Sequence, residues 1–145
     1  LATDADEGTP KNIKSVFVRS TSSRLEFRVE SYSAWGNPNS VTEGFSTGIF
    51  IDTDNNKNTG MIYNPLIPGT EMNDIGPEYC AATGFEGNAL YKWNDSLKYW
   101  SYSAAFKYVN LLPGVKITEF SIDRSTLPNS SMMSEISIGD KPGKH

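Results

Sequence analysis

The segment Phe50-Ile51-Asp52-Thr53-Asp54-Asn55-Asn56-Lys57-Asn58-Thr59-Gly60 concentrates the residues best suited to chemistry. A hydrophobic strand delivers Asp52 and Asp54. Side chains two positions apart on extended backbone project to the same side, so both carboxylates converge on one point. Asn56 continues the series with a neutral carbonyl, and Thr59 stands close behind. Calcium takes six to eight hard oxygen ligands in flexible geometry, which such a loop supplies. The spacing begins like an EF-hand and then departs from it. Lys57 occupies the place of that loop's glycine, and Tyr63 that of its bidentate glutamate. A further carboxylate has to come from elsewhere, and Glu78, Asp74, Glu71, Asp4 and Asp6 are the candidates. The alternative is a polar turn, since Asp and Asn side chains bond local backbone. Two carboxylates this close repel, and a cation removes that cost.

Other chemistry is thinly supplied. The one histidine, His145, is the last residue, so no Ser-His-Asp or Cys-His arrangement is credible. No phosphate-binding glycine loop occurs. The methionines show no haem-ligand pattern. Glu119 and Asp123 share one strand face, where a solvated surface is the simpler reading than a glycosidase pair. The single cysteine, Cys80, sits among Tyr79, Ala81 and Ala82 and reads as a small core residue. The expectation is a protein that binds and does not catalyse.

Aromatic residues make up 12% of the chain, enough to furnish both a core and a sugar platform. Trp35 and Tyr63 fall in long polar loops, and Trp93 stands beside a turn. These three are the candidate stacking residues. Trp100, Tyr102, Phe106 and Tyr108 alternate along one strand and read as core.

The elements that must carry these residues are strands. The 145 residues fit one domain, 1–145, able to bury a core. Arg24–Ser31 alternates Leu25, Phe27 and Val29 with Arg24, Glu26, Arg28 and Glu30, the pattern of a half-buried strand. Further strands are predicted over Ile13–Arg19, Gly48–Asp52, Tyr79–Phe85, Ala89–Trp93, Trp100–Val109, Val115–Asp123 and Met133–Ile138. Arg124–Leu127 reads as one short helical turn. Residues 32–47 and 61–77 form two long loops. Eight short strands and no sustained helical period predict an all-β, two-sheet antiparallel sandwich, jelly-roll-like. Leu25, Phe27, Val29, Ile51, Phe106, Phe120 and Ile136 are expected inside it. The net charge of −4, with scattered Lys and Arg, argues against nucleic acid and membrane surfaces. No apolar stretch approaches the length of a membrane span. Two N-x-[ST] triplets, at Asn94 and Asn129, fall in expected turns.

The order of these pieces resembles the carbohydrate-binding-module family 9-like β-sandwich domains of secreted and cell-surface proteins. The likeness runs from Arg24-Leu25-Glu26-Phe27-Arg28-Val29 through Ile51-Asp52-Thr53-Asp54-Asn55-Asn56 with Thr59-Gly60. It continues through Ile75-Gly76-Pro77-Glu78-Tyr79, Leu90-Tyr91-Lys92-Trp93, Trp100 and Thr118-Glu119-Phe120-Ser121-Ile122. Relatives carry Gly-Ala-Asp-Tyr where this chain has Gly76-Pro77-Glu78-Tyr79, which implies that Glu78 takes the place of an aspartate with a longer arm. The resemblance implies an extracellular or cell-surface location and a structural calcium ion held by Asp52, Asp54, Asn56, Thr59 and Glu78. It implies a polysaccharide or oligosaccharide as partner, or other domains of a parent chain. The competing expectation is a calcium-stabilised accessory domain of a secreted hydrolase or surface-layer protein, without a sugar ligand.

Overall fold

A computed structural model describes residues 2–3, 13–34, 47–62, 76–83, 88–110, 114–128 and 136–140. Ten strands run through them: β1 (Ala2–Thr3), β2 (Ile13–Ser20), β3 (Arg24–Ser31), β4 (Thr47–Ile51), β5 (Tyr79–Thr83), β6 (Ala89–Asn94), β7 (Tyr99–Ala105), β8 (Tyr108–Asn110), β9 (Ile117–Asp123) and β10 (Ile136–Asp140). Arg124–Thr126 forms one 3-10 turn, capped by the Asp123 side chain. The strands make two antiparallel five-stranded sheets, ordered β1-β2-β3-β9-β8 and β10-β4-β5-β6-β7. The all-β, two-sheet sandwich expected from the sequence is the architecture found.

The alternation of β3 sets the core. Leu25, Phe27 and Val29 are buried and pair across to Ile122, Phe120 and Thr118 on β9. Ile49 and Ile51 of β4, Tyr79 and Ala81 of β5, and Leu90 of β6 meet them from the second sheet in one cluster. Phe120 lies between two rings, stacked on Phe27 at 5.0 Å and on Phe106 at 4.7 Å. Of the expected core residues, Leu25, Phe27, Val29, Ile51 and Phe120 are buried, and Phe106 packs against them half-buried. Ile136 lies in β10, whose side chains are outside the described residues.

The expected strand Trp100–Val109 is two strands in different sheets. β7 pairs with β6, and β8 pairs with β9. The Phe106 ring, stacked on Phe120, carries the chain inward between them, and the Lys107 amide then donates to the Ser121 carbonyl at 2.9 Å. The β6–β7 ladder also slips, because Leu90 pairs with Ala104 but Tyr91 with Tyr102. Ser103 is therefore extra, a bulge that reverses the facing of the residues before it. Tyr102 and Tyr108, read as core, are 65% and 50% exposed, and Trp100 packs in a second cluster.

The two outer faces differ. On the first sheet, Arg19, Glu26, Arg28, Glu30, Glu119 and Asp123 share the outward positions, and Arg28 stands over the Phe17 ring at 5.4 Å. On the second sheet, the register aligns Phe50, Cys80, Tyr91 and Tyr102 in one row across β4 to β7. A neighbouring row is Gly48, Ala82, Ala89 and Ala105, and on the other side Trp93 pairs with Trp100. None of these outward residues carries a charge.

Replacing a ring that fills the space between two others leaves a cavity. Phe120→Ala is expected to lower unfolding free energy by about 3–5 kcal/mol in urea titrations. A loss below about 1 kcal/mol would contradict the central place of this ring.

Candidate metal centre and the sheet face beside it

β4 ends at Ile51, which faces inward, so the next residue turns outward. Asp52 is buried at 3% exposure, and its Oδ1 accepts the amides of Asp54 at 3.0 Å and Asn55 at 2.7 Å. This Asx turn reverses the chain. Asn55 adopts a positive φ of 57° to complete it, a conformation that asparagine tolerates better than most residues. Asp54 Oδ1 in turn accepts the Asn56 amide at 2.9 Å.

Glu78 arrives from the segment before β5. Its Oε2 accepts the Thr53 amide at 2.8 Å and the Thr53 hydroxyl at 3.1 Å. Two glycines let the segment come this close. Gly60 and Gly76 have φ of 68° and 55°. A Cβ on Gly60 would lie 2.4 Å from the Gly76 carbonyl oxygen, and one on Gly76 would lie 2.5 Å from the Thr59 carbonyl oxygen. The Met61 amide bonds the Pro77 carbonyl at 2.9 Å, and the Trp93 amide bonds the Glu78 carbonyl at 2.8 Å. Glu78 is thus fixed from the loop on one side and from β6 on the other.

The result is one oxygen cluster. Asp52, Asp54 and Glu78 each place a carboxylate oxygen within 4.8 Å of the others, an arrangement able to hold a metal ion. At that separation two unit charges repel by about 1 kcal/mol in water and roughly 3 kcal/mol at an effective dielectric near 20. Thr59 stands among them. Its hydroxyl lies 3.1 and 2.9 Å from the two Asp54 oxygens, 2.8 Å from the Asn56 carbonyl and 3.0 Å from Glu78 Oε1. A hydroxyl has one proton, so four acceptors crowd a single donor. Burial first, and then the Glu78 carboxylate, holds the Tyr79 phenol above its ordinary 10.0.

Four of the five residues expected at the metal meet here: Asp52, Asp54, Thr59 and Glu78. The Asn56 side chain does not join them. Its Oδ1 accepts the Asn58 amide at 3.1 Å, and only its backbone carbonyl turns toward Thr59. The other candidate carboxylates, Asp4, Asp6, Glu71 and Asp74, lie outside the described residues, as do Trp35 and Tyr63.

The remaining sugar candidate, Trp93, is not an open platform. It is 8% exposed, edge-on to Trp100 at 5.3 Å, and clustered with the fully buried Met61. The reason is the same loop, whose last turn delivers Met61 onto the ring. Among the described residues of this face the exposed ring is Tyr102, which pairs with Tyr91, and Tyr91 and Trp100 are half-buried beside it. Sequence alternation concealed Tyr102 because the bulge at Ser103 is invisible in it. No protein-family model matches the chain, and no curated protein matches it either.

The glycine contact can be tested against a control. Gly114 also has positive φ, 77°, but a Cβ there meets nothing within 4 Å. Gly114→Ala is expected to cost about 1 kcal/mol in urea unfolding, and Gly60→Ala at least about 2 kcal/mol. Equal losses would show that the close approach of the two segments contributes nothing.

Proposed function

We propose that this chain is a non-catalytic carbohydrate-binding-like module, similar to the family 9-like sandwiches and stabilised by a structural calcium ion, within a secreted or cell-surface protein. One arrangement carries the reading: an oxygen cluster seated at the end of an uncharged, aromatic sheet face. Asp52 and Glu78 continue the outward positions of β4 and β5, and Trp93 bonds the Glu78 backbone. The ion and the face are parts of one surface.

Calcium suits the cluster in size and donor type. Its oxygen ligands stand at 2.3–2.6 Å, so oxygens on opposite sides of one ion are about 4.6–5.2 Å apart. The carboxylate oxygens of Asp52, Asp54 and Glu78, within 4.8 Å of one another, fit around one such ion. The Thr59 hydroxyl and Asn56 carbonyl are further hard donors at the same place. With the ion bound, the Thr59 oxygen ceases to be the one donor among four acceptors. Calcium joins the loop after β4 to the segment before β5 and leaves chemistry to other proteins. The sugar part rests on the family resemblance and on the face formed by Tyr91, Tyr102 and Trp100.

An ion that binds the folded chain stabilises it by mass action, roughly 3–4 kcal/mol at 100- to 1,000-fold excess over Kd. Saturating calcium is expected to raise the melting temperature above that measured in chelator, and Asp52→Ala to abolish the difference. Identical melting curves in calcium and chelator, with no ion retained on purification, would overturn the calcium reading.

A further inference from the structure

We infer that Asn94 is a covalent attachment site for an N-linked glycan, and that the first sugar of that glycan rests on the Tyr99 ring. The inference rests on the secreted reading, because the transfer takes place on chains leaving the cytoplasm. Asn94-Asp95-Ser96 has the acceptor pattern, an amide with a hydroxyl residue two places on. Its place in the fold supplies the rest. Asn94 is the last residue of β6, and Asp95, Ser96, Leu97 and Lys98 form an exposed turn into β7. The Lys98 amide closes the turn on the Asn94 carbonyl at 2.8 Å, with Lys98 at a φ of 53° and its ammonium on Asp95 at 2.6 Å. The Asn94 side chain is oriented through Oδ1, which accepts the Leu97 amide at 3.0 Å. Its Nδ2, the atom that takes the sugar, bonds nothing among the described residues, and neither does the Ser96 hydroxyl.

The donor class is a lipid-linked oligosaccharide diphosphate. Asn94 Nδ2 forms a bond to the anomeric carbon, the bond from that carbon to the diphosphate oxygen breaks, and the lipid diphosphate leaves with its electron pair. One amide proton passes to the transferase, and nothing is oxidised or reduced. The fold accommodates the product. Asn94 pairs across the hairpin with Tyr99, and cross-strand partners project to the same side about 5 Å apart. Tyr99 is 50% exposed, and Leu97 at the turn is 61% exposed. The sugar on Nδ2 therefore lies beside an open ring, which takes the C–H face of a pyranose while the phenol meets its hydroxyls. Trp93 and Trp100, the next residues inward on the two strands, project to the other side. The glycan thus stands clear of the Met61–Trp93 cluster and leaves the oxygen cluster open to its ion. The second triplet, at Asn129, lies outside the described residues.

The test sends the full chain through the secretory pathway of yeast behind a host leader, and then measures intact mass before and after an amidase that cleaves Asn-linked glycans. In heavy-oxygen water that cleavage marks the attachment position, and peptide mapping is expected to find the mark at position 94. Ser96→Ala is expected to lose one glycan mass, and Asn129→Gln to keep the glycan at position 94. Ser96 is exposed and bonds nothing among the described residues, so Ser96→Ala retains the fold, with circular dichroism verifying it. A secreted wild type without a glycan at position 94, or a glycan there that survives Ser96→Ala, overturns the acceptor site and leaves the calcium and carbohydrate readings standing. The Tyr99 contact has its own readout. Loss of the glycan through Ser96→Ala is expected to lower the melting temperature by about 3 °C in the wild type and by nothing measurable in a Tyr99→Ala background. Equal changes in the two backgrounds overturn the contact.

Discussion

The contact between Gly60 and Gly76 is the constraint on which the site depends. Two left-handed glycines from separate segments meet with no room for a Cβ on either. That approach sets the distance between the loop after β4 and the residues before β5. Glu78 can then reach Thr53 and Thr59, and Met61 can reach Pro77. A side chain at either glycine would separate the segments, and three acids would no longer share one place. The carboxylates repel, so the backbone has to hold them together whenever no cation does. Backbone bonds from Met61 and Trp93 supply that hold independently of any ion.

The same loop shapes the sheet face. Met61 leaves the loop fully buried against Trp93, and Trp93 in turn meets Trp100 edge-on. One methionine and one backbone bond thereby connect the oxygen cluster to the aromatic rows. The two sheets then divide the remaining work. The first buries Phe27 and Phe120 and turns charged side chains to solvent, as a solvated sheet does. The second presents rings and small residues outward, which solvation alone does not require.

Much of this was legible in the residues, and the gaps have definite causes. β3 declared itself because every second residue is apolar and the others are charged. The type and spacing of Asp52 and Asp54 pointed to a group able to hold a cation, with a polar turn as the alternative, and the structure shows both the Asx turn and the carboxylate cluster. Glu78 was one of five candidate carboxylates and the resemblance singled it out, but only the glycine contact explains how a residue far along the chain arrives. Tyr102 and Tyr108 were misplaced because one unbroken alternation, Trp100 to Tyr108, spans a bulge and a crossing between sheets. Local periodicity has no means of registering either. Trp93 was misjudged for a related reason: Met61, which covers it, lies far from it in sequence. Asn56 has the right oxygen, but a neighbouring amide two residues on captures its side chain first.

The central claim is that Asp52, Asp54 and Glu78 act together on one ion. Calorimetric titration of calcium into chelator-treated protein tests it most directly. The account predicts saturable binding of one calcium per chain in the wild type, and its loss in Glu78→Gln, whose amide keeps the size of the side chain and discards the charge. Undiminished binding in Glu78→Gln, or no heat in the wild type, would contradict it.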